Sequence, residues 1–231
     1  NGQMGVTKDL TEANKYYKLA GDQGNAKALC NLAFNMRNGN GIAKDVKQAN
    51  ELFLKSSEKG YSTAQYNYGC NLMNGVGVDQ NQKEANKYFK LAADNGHSQA
   101  MMTYATNLSK GIGIGKNLTE ANKYIKLAID ADEKNVNALF LYANNLLNGN
   151  GIEKNPEEAN KYYKKAADLG HSRSMFNYAF NLQKGIGFDH KDVVEANKYY
   201  KMSADKGNAE AMTNYACMLY SGNGIAMNKK K

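Results

Sequence analysis

The sequence contains no tryptophan, one proline, three cysteines and only two arginines. A single proline against 22 glycines excludes a fold of many short strands joined by proline-bearing turns, and it suits helices that glycine terminates. Cys30, Cys70 and Cys217 keep no regular spacing, so they make neither a disulfide framework nor a zinc motif. Unpatterned thiols fit a reducing compartment, and the expected location is the cytoplasm. No apolar run approaches the ~20 residues of a spanning helix, so no membrane insertion is expected. The opening, Asn1-Gly2-Gln3-Met4, carries neither an initiator methionine nor a signal-peptide pattern. What is present is 42% apolar residues in a chain of 231, ample for a core and too apolar for a disordered tail.

The dominant feature is a repeat. The phrase Glu-Ala-Asn-Lys-Tyr, in full or close variants, recurs with its alanine at Ala13, Ala49, Ala85, Ala121, Ala159 and Ala196. A Gly-x-Gly recurs in step, beginning at Gly39, Gly75, Gly111, Gly149, Gly185 and Gly222. Periods of this length signal stacked helical units, each unable to bury its apolar face alone.

Each copy encodes two helices. Asp9, Asp45, Asn81, Asn117, Asn155 and Asp192 are predicted N-caps, each followed three residues later by Glu or Gln in a capping box. The lone proline, Pro156, follows cap Asn155 at the first helical position, where its missing N–H costs nothing. Within the capped helix Ala13, Tyr16, Tyr17 and Ala20, or Ala85, Tyr88, Phe89 and Ala92, form one buried stripe. Gly24, Gly60, Gly96, Gly170 and Gly207 end this helix as left-handed caps. The second helix ends at the Gly-x-Gly and carries a small residue, Ala33, Gly69, Ala105, Ala143, Ala179 or Ala216, for close helix approach.

The expected fold is therefore all-α: an α-solenoid of six helix-turn-helix repeats and about twelve helices. The repeat units run approximately 9–44, 45–80, 81–116, 117–154, 155–191 and 192–227, in one array over 1–231. Gly5-Val6 aligns with Gly41-Ile42, and no polar capping repeat is visible at either end, so a segment of a longer protein is expected.

These residues resemble the Sel1-like repeat, a relative of the tetratricopeptide repeat, over the whole chain. The family's Leu-Gly followed by Tyr is mostly inverted, as in Tyr68-Gly69 with Leu72 and Tyr142-Ala143 with Leu146, a volume-conserving swap. The fourth copy has two extra residues around Asp130-Ala131-Asp132-Glu133 and no glycine at its first helix end. The resemblance implies a non-enzymatic scaffold or adaptor that binds a protein or peptide along a concave groove lined by the second helices. It places Asn31, Phe34 and Arg37, with Cys30, in that groove, followed by Tyr66, Asn67 and Met73, then Met102. Phe140 and Asn144, then Phe176, Asn177 and Phe180, then Asn214 and Tyr220 continue it. Aromatics would anchor a segment and asparagines would bond its backbone; equally, a helical aromatic stripe can pack between helices.

A second asparagine series, Asn35, Asn71, Asn107, Asn145 and Asn181, is replaced by Met218 in the last copy. Buried amides need partners, and a ladder serving loop backbone is expected. Asn14, Asn50, Asn86, Asn122, Asn160 and Asn197 form another structural series.

The formal charge of +8 raises nucleic acid as a partner. Against it, Glu12, Glu84, Glu120, Glu158 and Glu195 stand three residues before Lys15, Lys87, Lys123, Lys161 and Lys198, at ion-pair spacing. Arginine, the better bidentate phosphate ligand, is nearly absent. No catalytic constellation can be assembled, and no cofactor is expected. Gly111-Ile112-Gly113-Ile114-Gly115-Lys116 looks like a phosphate loop but follows a helix. His97 and His171 occupy loop positions where capping explains them. His190 with Asp189 and Asp192 is too small a set for a metal. The alternative function is a regulatory or spacer region within a larger protein, for example beside a kinase domain.

Overall fold

The computed structural model describes residues 8–224. Among these residues it contains twelve α-helices and no strand. The first helices of the pairs are α1 (Leu10–Asp22), α3 (Val46–Glu58), α5 (Gln82–Asp94), α7 (Leu118–Ala131), α9 (Pro156–Asp168) and α11 (Val193–Asp205). The second helices are α2 (Ala26–Asn38), α4 (Ser62–Asn74), α6 (Ser98–Lys110), α8 (Val136–Asn148), α10 (Ser172–Lys184) and α12 (Ala209–Ser221). The all-α helical-repeat solenoid read from the period is the fold. Gly5 and Val6, and residues 225–227 of the last expected unit, lie outside the described residues.

Each first helix begins where a short polar side chain takes up a free N–H of the first turn. Asp9 accepts from the Glu12 N–H at 2.9 Å, and Asp45, Asn81, Asn117, Asn155 and Asp192 do the same in their copies. The other half of the expected capping box is replaced by a longer-range bond. The cap N–H groups of Asp45, Asn81, Asn155 and Asp192 donate to the carbonyls of Met36, Leu72, Leu146 and Leu182 on the preceding helix. That bond satisfies an orphan carbonyl of the second helix as well as the cap. Glu84 and Glu195 are thereby free to pair with Lys87 and Lys198, as Glu12 pairs with Lys15 in the first copy.

The loops depend on glycine twice over, as the fifth copy's entry shows. Gly149 ends α8 at φ +75°, and Gly151 has φ +68°, with a would-be Cβ only 2.4 Å from Leu118 Cβ and 2.5 Å from its carbonyl carbon. The loop lies directly on the first turn of α7, so no side chain fits there. By contrast α7 ends without glycine: Asp132 caps it in an extended conformation, φ −146°, within the two-residue insertion.

The two asparagine series form one circuit. In each of the first five copies the amide of the second-helix asparagine donates to the first-helix asparagine: Asn35 to Asn14, Asn71 to Asn50, Asn107 to Asn86, Asn145 to Asn122 and Asn181 to Asn160, at 2.6–2.8 Å. The first-helix amide then donates to a loop carbonyl, as Asn50 does to Val76 at 2.8 Å. The Val76 N–H returns to the carbonyl of Asn71 at 3.0 Å, closing the ring. Buried amides are thus satisfied by pinning the glycine loop to both helices.

The chain divides into two compact units, one to Lys116 and the other from Asn117. In the first, α2 packs on α1 and α3, and α4 on α3 and α5. Ala33, Ala49, Phe53 and Ala64 are fully buried, with Cys30 and Met36 beside them. Phe89 meets Gly69, where a Cβ would lie 2.9 Å from its ring; each such buried aromatic contributes about 1.5–3 kcal/mol. The expected stripe is uncovered on α1, where no described helix precedes it and Tyr16 is 64% exposed. In the second unit Leu139, Tyr163, Met175 and Tyr200 form the interior between α8, α9, α10 and α11.

Candidate functional site

The residues assigned to the groove all lie on second helices, and none of the fourteen is buried. Cys30, carried over with them, is a correction: it is 4% exposed and belongs to the core, where burial pushes its thiol up to about 11. Its position faces α3 and not solvent.

In the first unit the geometry centres on Arg37 and Tyr66. The Arg37 guanidinium lies over the rings of Phe34 at 5.2 Å and Phe53 at 5.5 Å, and it donates to Asn67 Oδ1 at 3.5 Å. Phe34 remains 46% exposed. The amide of Asn67 is already given to the Thr63 carbonyl at 2.8 Å. Tyr66 stacks on His97 at 4.7 Å and tilts against Phe89 at 5.7 Å; burial raises its phenol. Asn31, Met73 and Met102 are half-buried on α2, α4 and α6.

In the second unit an open cavity of about 470 Å³ is lined by Asn144, Leu147, Tyr163, Phe176, Asn177 and Phe180, among others. Phe176 stacks on Phe180 at 6.4 Å and tilts against Tyr200 at 5.8 Å. Phe140 packs on His171 at 4.9 Å and on Tyr163 at 6.2 Å. The Tyr163 hydroxyl donates to Asn144 Oδ1 at 2.6 Å, and burial pushes its phenol up to about 12. Burial also raises Tyr200, opposed by a hydrogen bond from Asn214. Lys184 Nζ stands 5.8 Å from the Phe180 ring. Tyr220 is 97% exposed and stands outside this cluster.

Sequence reasoning missed the floor of both clusters. Phe53, Phe89, Tyr163 and Tyr200 come from first helices and orient the exposed aromatics and asparagines above them. Their recurrence four residues after the repeat alanine was the available signal, read only as a core stripe.

His97 and His171 are N-caps, accepting from Ala100 N at 3.2 Å and Ser174 N at 3.3 Å through Nδ1. Among the described residues no group of three or more His, Cys, Asp or Glu could hold a metal ion, and no helix is long and apolar enough to cross a membrane. Lysine charge is largely paired on the first helices. Besides the Glu–Lys pairs, Lys90, Lys126, Lys164 and Lys201 bind Asp94, Asp130, Asp168 and Asp205 at 2.6–2.8 Å, and Lys161 pairs with Glu157 in place of Glu158.

A family model described as Sel1 repeat matches residues 1–25, 26–61, 62–97, 98–133, 136–171, 172–208 and 209–231. Its frame runs from a second helix into the following first helix, so the matches are offset from the hairpins described above. No curated protein sequence matches the chain. Among solved structures, a protective antigen present in uropathogenic Escherichia coli strains, displaying an SLR fold, is 28% identical with a TM-score of 0.83. The match covers 94% of this chain and 46% of the antigen, so this chain spans just under half of that protein's length. A Sel1 repeat protein from Oxalobacter formigenes is also 28% identical, with a TM-score of 0.76, covering 91% of this chain and 88% of that one. YrrB, a TPR protein with an unusual peptide-binding site, shares the fold at 17% identity and a TM-score of 0.53, covering 90% and 98%.

Proposed function

The chain belongs to the Sel1 repeat family, whose fold generally mediates protein–protein interaction, and from that premise we propose that it is a non-enzymatic scaffold holding a peptide or protein segment along its second helices. The observation that carries this reading is the stacked pair Phe176 and Phe180 lining a cavity of about 470 Å³, with Phe140 packed on Tyr163, another residue of its wall. Phe140 rests on buried Tyr163 and Phe176 on buried Tyr200, Phe180 stacks on Phe176, and all three remain accessible, the condition of preorganised aromatic anchors. Asn144 and Asn177 line the same cavity and can bond a peptide backbone with the capacity that Tyr163 leaves them.

The occupant is a segment with two or more apolar side chains. The pairing of lysines with carboxylates supports a protein partner over nucleic acid, whose recognition needs unneutralised cations. The three free thiols support a reducing compartment, the cytoplasm, as the place of action.

The test is a selection of displayed random peptides on the purified chain, with a folded Phe140→Ala, Phe176→Ala, Phe180→Ala variant as the counter-target. Enrichment of apolar-anchored peptides that ignore the variant supports the reading. Equal enrichment on both proteins, or none, contradicts it.

A further inference from the structure

Later hairpins have a feature that the first lacks. In three places a tyrosine of a second helix meets edge-to-face a tyrosine of the next first helix: Tyr68 with Tyr88, Tyr142 with Tyr162, and Tyr178 with Tyr199, each at 4.9 Å. Two of these first-helix tyrosines also reach the Lys/Asp pair one repeat earlier, while Tyr88 has Leu54 and Glu58 at those positions. Tyr199 donates its hydroxyl to Asp168 at 2.9 Å, and Lys126 Nζ stands 5.8 Å from the Tyr162 ring.

Thirty-six residues before Tyr68 and Tyr88 stand Leu32 and Leu52, so the seam between α1 and α3 has no phenol. It has a cleft of about 400 Å³ whose apolar wall includes Leu29, Leu32, Met36 and Leu52, and Lys18 and Asp22 line it together with Lys15, Glu51 and Lys55. Lys18 and Asp22 hold the positions that Lys126 and Lys164, and Asp130 and Asp168, hold in later copies. Those later pairs are ion pairs at 2.7–2.8 Å; Lys18 and Asp22 make none among the described residues. The first hairpin thus keeps the partners of a tyrosine without the tyrosine.

We propose that the cleft between α1 and α3 is a binding site for a phenol ring, supplied either as a free phenolic molecule or as a tyrosine side chain of a bound protein. The ring enters the leucine-walled space, its hydroxyl donates to Asp22 as Tyr199 does to Asp168, and Lys18 lies against it as Lys126 does against Tyr162. The room is sufficient, since roughly 150 Å³ of apolar cavity accepts a benzene-sized ring. The site lies between first helices and stands whether or not the second helices bind a peptide.

The experiment titrates the chain with p-cresol, toluene and N-acetyltyrosinamide while following the methyl NMR signals of Leu32, Met36 and Leu52. Saturable shifts are expected with p-cresol, about tenfold tighter than with toluene because one charge-assisted hydrogen bond separates them. Asp22→Asn, a surface change, should erase most of that preference. Leu52→Tyr should fill the cleft from within, raise the melting temperature and abolish the shifts. N-acetyltyrosinamide binding at least as tightly as p-cresol assigns the site to a tyrosine side chain; p-cresol binding alone assigns it to a free phenol. The absence of saturable shifts overturns the proposal, as does toluene binding as tightly as p-cresol. Leu52→Tyr that folds and leaves the p-cresol shifts intact also overturns it.

Discussion

Asn197 and Met218 stand where each of the five earlier copies has a pair of bonded asparagines. Asn197 still donates to the loop carbonyl of Asn223 at 2.8 Å. Its Oδ1 is buried without a hydrogen-bond partner, because a thioether at 218 has no proton to give. Leaving a buried acceptor unsatisfied costs about 1–3 kcal/mol. The last copy is therefore the place where the circuit fails.

The first prediction concerns that failure. Met218→Asn restores the missing donor, and the gain of about 1–3 kcal/mol offsets the lost burial of methionine. The variant should melt no lower than the parent. Met218→Ala loses packing without restoring the bond and should cost about 2 kcal/mol or more. Thermal denaturation of the two variants side by side checks this.

Breaking an intact circuit should have the opposite effect. Asn71→Leu strips Asn50 of its donor at 2.6 Å and leaves that oxygen buried, at a cost of about 2 kcal/mol. Urea denaturation measures it, and a double-mutant cycle with Asn50 isolates the shared term.

Glycine substitutions separate two costs. Gly207 has φ +88° with nothing within 4 Å of a would-be Cβ, so Gly207→Ala should pay only the left-handed penalty of roughly 1–2 kcal/mol. Gly151→Ala adds a collision with the Leu118 backbone and should cost clearly more, or prevent folding. Chemical denaturation of both ranks them.

The caps at His97 and His171 make stability depend on pH. Both rings accept a backbone N–H through Nδ1, which only neutral imidazole can do. Burial holds both below the usual histidine value, helped at His171 by Arg173. A depressed folded value means the unfolded state binds protons first. The stability these caps supply is full above about pH 6.5 and is lost as pH falls through the lower folded values. Melting curves across that window should show the loss, and His97→Asn with His171→Asn should reduce it, since Asn25 and Asn208 cap the same position without titrating.

The parts legible in the sequence are those set by contacts three to four residues apart or by backbone conformation. The N-caps, the terminating glycines and Pro156 at the start of α9 all stand where the local pattern puts them. The asparagine ladder was legible because five copies repeat it, although its closed path through the loop N–H was not. Long-range partners were hidden. The bond from the Asp45 N–H to Met36 replaces half a capping box, Tyr163 reaches back to orient Asn144, and Leu52 lines an open cleft where, one copy later, Tyr88 packs on Tyr68. Each depends on helices brought together by packing, which a one-dimensional period cannot specify. Cys30 was misplaced because its side chain is short: Tyr66, Phe140 and Phe176 at the same register extend far enough to stay partly exposed, while the thiol ends beneath the packed helices.

The central claim, an accessible aromatic groove on the second helices, is tested most directly by calorimetric titration of a selected peptide against the parent chain and the Phe140→Ala, Phe176→Ala, Phe180→Ala variant, at low and moderate salt. The account predicts affinity that changes little with salt and falls by about 30-fold or more in the variant, the loss of one strong anchor's worth of about 2 kcal/mol. Affinity that collapses with salt, or that the variant retains in full, would contradict it.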